Sequence, residues 1–218
     1  MTASPLAQER VESRIPALLA VIVVGALVLL LPSRYQLGPS WLKFIAPALI
    51  VAAMAAVSLF PRSVLLHRIE RIVVLVLVIV VGGLNVAAVW RLVADMITHK
   101  HGYSAITLLE SAAVIWTINV LVFAMLYWQL DRGGPEARAS DVRCIPDFHF
   151  AEAHDEASGW EPHFTDYLFL AFAASTAFAA PDYTRPVTRR AKLIVMFQAI
   201  ISLVTLFLIA SRAIASLS

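Results

Sequence analysis

Polar residues inside apolar runs are the places where this chain could do chemistry. In the run 191–214, Gln198, Ser202, Thr205 and Arg212 follow one another at steps of four, three and seven. That spacing puts them on one face of a helix. Such a face can line a wet cavity and pass a solute. It can equally hydrogen-bond across a dry helix contact, as Ser and Thr do within membranes. Spacing alone leaves both readings open. A second polar set lies in the segment 131–163, where His149, His154 and His163 sit among Asp141, Asp147, Glu152, Asp155 and Glu156. Histidine and carboxylate suit divalent ions. The spacings match no metal motif, however, so a solvated loop is expected, with no metal and no cofactor. There is no Walker loop, no GxGxxG after a strand, no HExxH and no GxSxG, and no nucleophile–base pair. An enzyme is therefore not expected.

The elements that would position these residues are set by hydropathy. The chain has 218 residues, 60% of them hydrophobic and 15% charged, and a mean hydropathy of +0.80. Globular domains lie nearer ~45–50% apolar and ~25% charged. An integral membrane protein is expected, and the net charge of +2 does not point to nucleic acid. Cys144 is the one cysteine, which excludes an intrachain disulfide. The N-terminal residues have mixed charges and no cleavage site, so the first apolar run is expected to be retained. Apolar runs cover 15–31, 41–60, 72–93 and 105–130, each closed by proline, by charge or by an interfacial pair such as Tyr127-Trp128. Gly82 and Gly83 predict close packing of the third run, and Asn85 predicts an interhelical hydrogen bond. Glu110 is expected in water near the start of the fourth run. Trp160 and Phe164 are expected to anchor the chain where it re-enters the bilayer.

The stretch 164–216 has an order of its own. The apolar run 167–180 is too short to cross a bilayer. A turn over 181–190 contains Pro181 and Pro186, and the full-length run 191–214 follows. Half a helix, a loop and a full span predict a re-entrant hairpin, sheltered by protein or by a wet cavity. Asp166 is placed to cap or open the short helix and Thr188 to cap the last one. The C-terminal end of the short helix, near Thr176 to Phe178, would carry partial negative charge and favour a cation.

The segment DYLFLAFAASTAFAAPDYTRPVTRRAKLIVMFQAIISLVTLFLIASRAI resembles the pore module of potassium channels. The likeness lies in a pore helix ending in Ser-Thr, a filter-like stretch, an aspartate and a long inner helix. Tyr127-Trp128, Asp131 and Gly133-Gly134 resemble the end of an outer helix. The arrangement is also similar to small bacterial membrane proteins with several helices before such a module. The resemblance implies a filter-like segment at Thr176, Ala177, Phe178, Ala179, Ala180 and Asp182, with Gln198, Ser202 and Thr205 as pore-lining candidates. Thr176 and Asp182 match the family's pattern, but Ala177-Phe178-Ala179-Ala180-Pro181 is one residue longer than its TVGYGD filter allows and holds no glycine. Glycine permits the positive φ angles that turn successive carbonyls toward an ion, and alanine and proline do not. Potassium selectivity of that kind is thus not implied, although passage of a monovalent cation is.

The fold expected is an all-α integral membrane protein with five transmembrane helices and one re-entrant pore-type half-helix before the last span. Residues 1–104 would form a three-helix region and 105–218 the pore-loop module. One loop per chain implies a homo-oligomer, a tetramer by resemblance, in contact with membrane lipids and in a bacterial inner (plasma) membrane. The alternative is a structural or regulatory protein that keeps the fold without conducting. Twelve basic residues, from Arg10 and Arg14 to Arg190 and Lys192, fall on the face of the hairpin mouth, against five on the other. The positive-inside rule puts that mouth in the cytoplasm, whereas the channel family has it outside.

Overall fold

The computed structural model describes residues 14–59, 64–98, 104–139, 145–151, 160–176 and 184–215. In chain order they form α1 (Ile15–Leu30), α2 (Leu42–Leu59), α3 (Val64–Thr98), α4 (Ala105–Leu130), α5 (Pro135–Ala139), β1 (Phe148–Phe150), α6 (Phe164–Thr176), β2 (Thr184–Pro186) and α7 (Arg189–Ala215). The two strands pair antiparallel over three residues each, and all other regular structure described is helical.

Among the described residues, three helices are long and apolar enough to cross a membrane, over Leu65–Thr98, Ile106–Gly133 and Arg189–Ser211. The first two runs expected to span give shorter apolar helices, Ile15–Leu30 and Leu42–Val57. At a rise of ~1.5 Å per residue α1 reaches about 24 Å and the full α2 about 27 Å, against a hydrocarbon core of about 30 Å. Pro32 sets one limit, holding Leu31 extended at φ −67, ψ 143. Pro47 lies within α2, beside Gly25 of α1.

α4 is the axis of the bundle and touches α1, α3, α6 and α7. Half of its membrane-length window is buried, against 28% for α3 and 22% for α7. Ala112, Ile115, Ile118, Ala124 and Trp128 are its innermost side chains. Its start is fixed by Ser104, whose Oγ accepts from the Thr107 N–H at 3.1 Å. Its end is a sharp turn, with Arg132 at φ 50, Gly133 at φ 88 and Gly134 at φ 100. The Gly-Gly pair serves this turn, where a side chain would strain two successive positions.

α3 is longer than the apolar run 72–93 because charged residues at both ends find partners. Arg14 pairs with Glu70 at 3.2 Å and His67 with Glu136 at 3.3 Å. At the far end Asp95 accepts two hydrogen bonds from Arg34, at 2.5 and 2.6 Å, and one from the Tyr35 hydroxyl at 3.1 Å. Gly82 does pack closely, since an added Cβ would lie 3.3 Å from Val122, while Gly83 meets nothing within 4 Å. Asn85 is buried, but its Nδ2 has no hydrogen-bond partner among the described residues. The expected interhelical bond from that donor is not made.

Candidate functional site

α6 has 13 residues, or about 20 Å of helix, and two sets of polar contacts hold it against the bundle. The first is at its N-terminal end, where α4 finishes and α7 begins. Asp131 is fully buried and accepts from the Asp147 N–H at 2.8 Å, the Phe148 N–H at 3.3 Å and the Tyr167 hydroxyl at 2.6 Å. One carboxylate thus joins the end of α4, the start of β1 and the first turns of α6. Asp147, also buried, accepts from Arg190 Nε at 2.7 Å and Nη2 at 2.5 Å, and from Thr188 Oγ1 at 2.5 Å. Its carbonyl accepts from the Val187 N–H at 2.8 Å, next to the pairing of β1 with β2. Arg138 donates to the carbonyls of Trp128 and Asp131, at 2.8 and 3.1 Å, and its guanidinium stands 5.2 Å from the centre of the Tyr167 ring.

Aromatic side chains pack beneath this clasp. Phe164 meets Trp128 edge-on at 6.0 Å, and Phe150 lies 5.6 Å from Trp160 and 5.4 Å from Tyr167. Phe164 is buried in these contacts and Trp160 half-buried. Asp166 is a first-turn acid, its Oδ2 accepting from the His163 N–H at 2.7 Å. Thr188 caps α7, accepting from the Ala191 N–H at 3.3 Å.

The second set is a polar ladder deep in the bundle. Gln198 Nε2 donates to the Ala171 carbonyl and to Ser175 Oγ, each at 2.8 Å, and Gln198 Oε1 accepts from the Tyr127 hydroxyl. Four residues from Gln198, Ser202 Oγ accepts from Asn119 Nδ2 at 2.8 Å. Thr205 Oγ1 donates to its own helix at the Ile201 carbonyl, 2.8 Å away. Gln198, Ser202 and Thr205 are all fully buried. Gln198, Ser202 and Thr205 are thus turned into the bundle, while Leu193, Met196, Phe197, Ile200 and Phe207 face outward.

Thr176, first of the filter-like residues, ends α6, and its Oγ1 donates to the Phe172 carbonyl at 3.1 Å. Ala177, Phe178, Ala179, Ala180 and Asp182 lie outside the described residues. The chain leaves the Asp131 end of the bundle along α6. It is back at that end by Thr184, which pairs with Phe150. Eight residues of extended chain reach about 28 Å, enough to retrace a 20 Å helix.

Sequence reasoning missed Asn119, Asp131, Asp147 and Arg190 as members of these networks. Asn119, a lone polar residue within an apolar run, carried a signal of the same kind as Asn85. Glu110 is exposed on the second turn of α4. No group of three or more His, Cys, Asp or Glu residues that could hold a metal occurs among the described residues. Comparison with known proteins gives no match, whether to family models, curated proteins or solved structures.

Proposed function

We propose that this is a membrane protein of pore-loop type, in which α6 dips into the bilayer and returns, and several copies surround one axis to give a passive path for monovalent cations. One observation carries the reading: a helix too short to span is held at its root by Asp131, and the chain is back at the same end of the bundle eight residues after it stops. The ladder from Tyr127, Gln198 and Ser175 fixes the inner half of α6. Its C-terminal end, where the Ser175 carbonyl accepts from Trp116 Nε1 at 3.5 Å, would present negative potential at the bilayer centre, which suits a cation. α1 and α2 complete five membrane helices in this reading, the bilayer thinning or the flanks snorkelling around them. Arg14, Arg71, Arg132, Arg138 and Arg190 gather at the hairpin mouth, which the positive-inside rule assigns to the cytoplasm. A tetramer in a bacterial inner membrane is the assembly we favour.

The second reading, a non-conducting structural or regulatory protein with the same fold, is favoured by the state of the ladder. The polar groups of Gln198, Ser202 and Thr205 named above are bonded within one protomer, which leaves an apolar α7 face for any axis. Ion flux from purified protein in liposomes decides between the two. The channel reading expects cation flux above empty vesicles, altered by Thr176→Ala and by Asp182→Asn. No flux for any monovalent cation sinks it in favour of the second reading. Flux indifferent to both substitutions rejects the filter assignment.

A further inference from the structure

We propose that the outward face of β2 and the first half of α7 is a docking surface for an anionic glycerophospholipid of the leaflet at the hairpin's root. Three cations head this face. Arg185 lies in β2, and Arg189 and Lys192 open α7. All three are exposed, and none is ion-paired with a carboxylate among the described residues. The described acids at this end are mostly engaged elsewhere. Asp131 and Asp147 are buried, Glu70 pairs with Arg14, Glu136 pairs with His67, and Asp166 accepts from the His163 N–H. Glu161, exposed before α6, is the remaining one.

The cations stand on a fixed frame. Asp147 holds Val187 through its carbonyl, and Thr188 and Arg190 through its carboxylate. The strand pairing sets Arg185 opposite His149. Arg190 spends Nε and Nη2 on Asp147 but is 61% exposed. A guanidinium carries five N–H donors, so some remain for a phosphate from outside. The same side of α7 then turns apolar. Arg189, Met196, Ile200 and Leu203 recur at steps of seven, four and three, opposite the buried Gln198, and all four are exposed. One leaflet's hydrocarbon is about 15 Å deep, half of the bilayer core, or roughly ten residues of helix. The exposed stretch from Leu193 to Leu203 has that length. A soluble phosphate would meet the cations and leave the stripe uncovered. A zwitterionic lipid would cover the stripe and bring a cation of its own against the arginines. A phosphate with net negative charge on a diacyl tail complements both parts, since basic residues at a membrane surface attract anionic lipid.

The test is retention of lipid by the full-length protein, read by native mass spectrometry after delipidation and titration with phosphatidylglycerol or phosphatidylcholine. Wild type should hold phosphatidylglycerol at least about fivefold more tightly, the attraction of a single cation near an anionic lipid. The triple variant Arg185→Gln, Arg189→Gln, Lys192→Gln should lose that preference. The double variant Arg68→Gln, Arg71→Gln removes exposed cations of α3 at the same end and should keep it. Arg190 stays native in both, because Asp147 depends on it. Glycerol phosphate at equal concentration should not displace the bound lipid. Equal retention of the two lipids by wild type overturns the proposal without any variant having to fold. So does an intact preference in a folded triple variant, or an equal loss in the α3 variant, which would mean diffuse surface charge. Displacement by glycerol phosphate would make this a phosphate site with no part for the tail, and also overturns it. Lipid retention is read independently of ion flux, so it stands or falls apart from the pore reading.

Discussion

Gln198 joins three helices through one side chain, and its effect can be measured residue by residue. Gln198→Leu leaves the Tyr127 hydroxyl and Ser175 without the partners described above. Interhelical hydrogen bonds in membranes average ~0.6 kcal/mol and reach about 1.7, so three of them amount to roughly 2 kcal/mol. We expect amide exchange in α6 to accelerate by about 10–30-fold while exchange in α3 is unchanged. Uniform acceleration in both helices would refute a local role. Asp147 offers a second measurement. Its carboxylate is buried, but the Arg190 side chain is 61% exposed, so solvent screens the pair. Asp147→Asn should destabilise the protein by about 2–3 kcal/mol in detergent unfolding, because it weakens three charge-assisted bonds at once. Arg190→Gln should cost about 1 kcal/mol, since Thr188 still donates to the carboxylate. Equal losses would show that the exposed guanidinium matters more than its screening allows.

At the scale of elements, the turn that ends α4 is the most constrained. Gly134 has φ 100 and ψ 174, a region open to glycine alone, and an added Cβ would lie 3.3 Å from the Gln129 carbonyl. Gly134→Ala should cost about 1–3 kcal/mol, whereas Arg132→Asn, at φ 50, should be neutral or mildly stabilising because asparagine tolerates the left-handed region. Reversed signs in thermal unfolding would contradict this account of the turn. The bounds of α4 were legible in the sequence, since Ser104 caps one end and Tyr127-Trp128 with Gly133-Gly134 mark the other. The bounds of α3 were not, because His67, Glu70 and Asp95 are read as loop residues until their partners Glu136, Arg14 and Arg34 are known. β1 and β2 are three residues each, shorter than any hydropathy pattern. The buried roles of Asp131 and Asp147 were hidden for a related reason: in an acid-rich segment, a carboxylate that will be buried looks like those that remain in water. Thr188 and Asp166 were legible because capping is a local interaction.

For the whole molecule, charge divides between two ends. One carries Arg14, Glu70, Asp131, Asp147 and Arg190, and the other Arg34, Lys43 and Asp95. The re-entrant reading makes a topological prediction from this. In a Cys144→Ser background, Glu161→Cys and Val187→Cys flank α6, and both native residues are exposed. An impermeant maleimide should label both from the same side of the membrane, and should label Ser104→Cys only from the other. Labelling of positions 161 and 187 from opposite sides would mean that the intervening segment crosses, and the pore-loop reading would fall. The bond between Asp147 and Arg190 also has a consequence for biosynthesis. The aspartate leaves the ribosome 43 residues before the arginine, so a nascent chain stalled between them holds a carboxylate that must wait in water. Completion of α7 and sealing of the hairpin's root are then one event, and a polypeptide cut short before position 190 should be seen by quality-control proteases as unfinished, even though α1 to α4 have already been made.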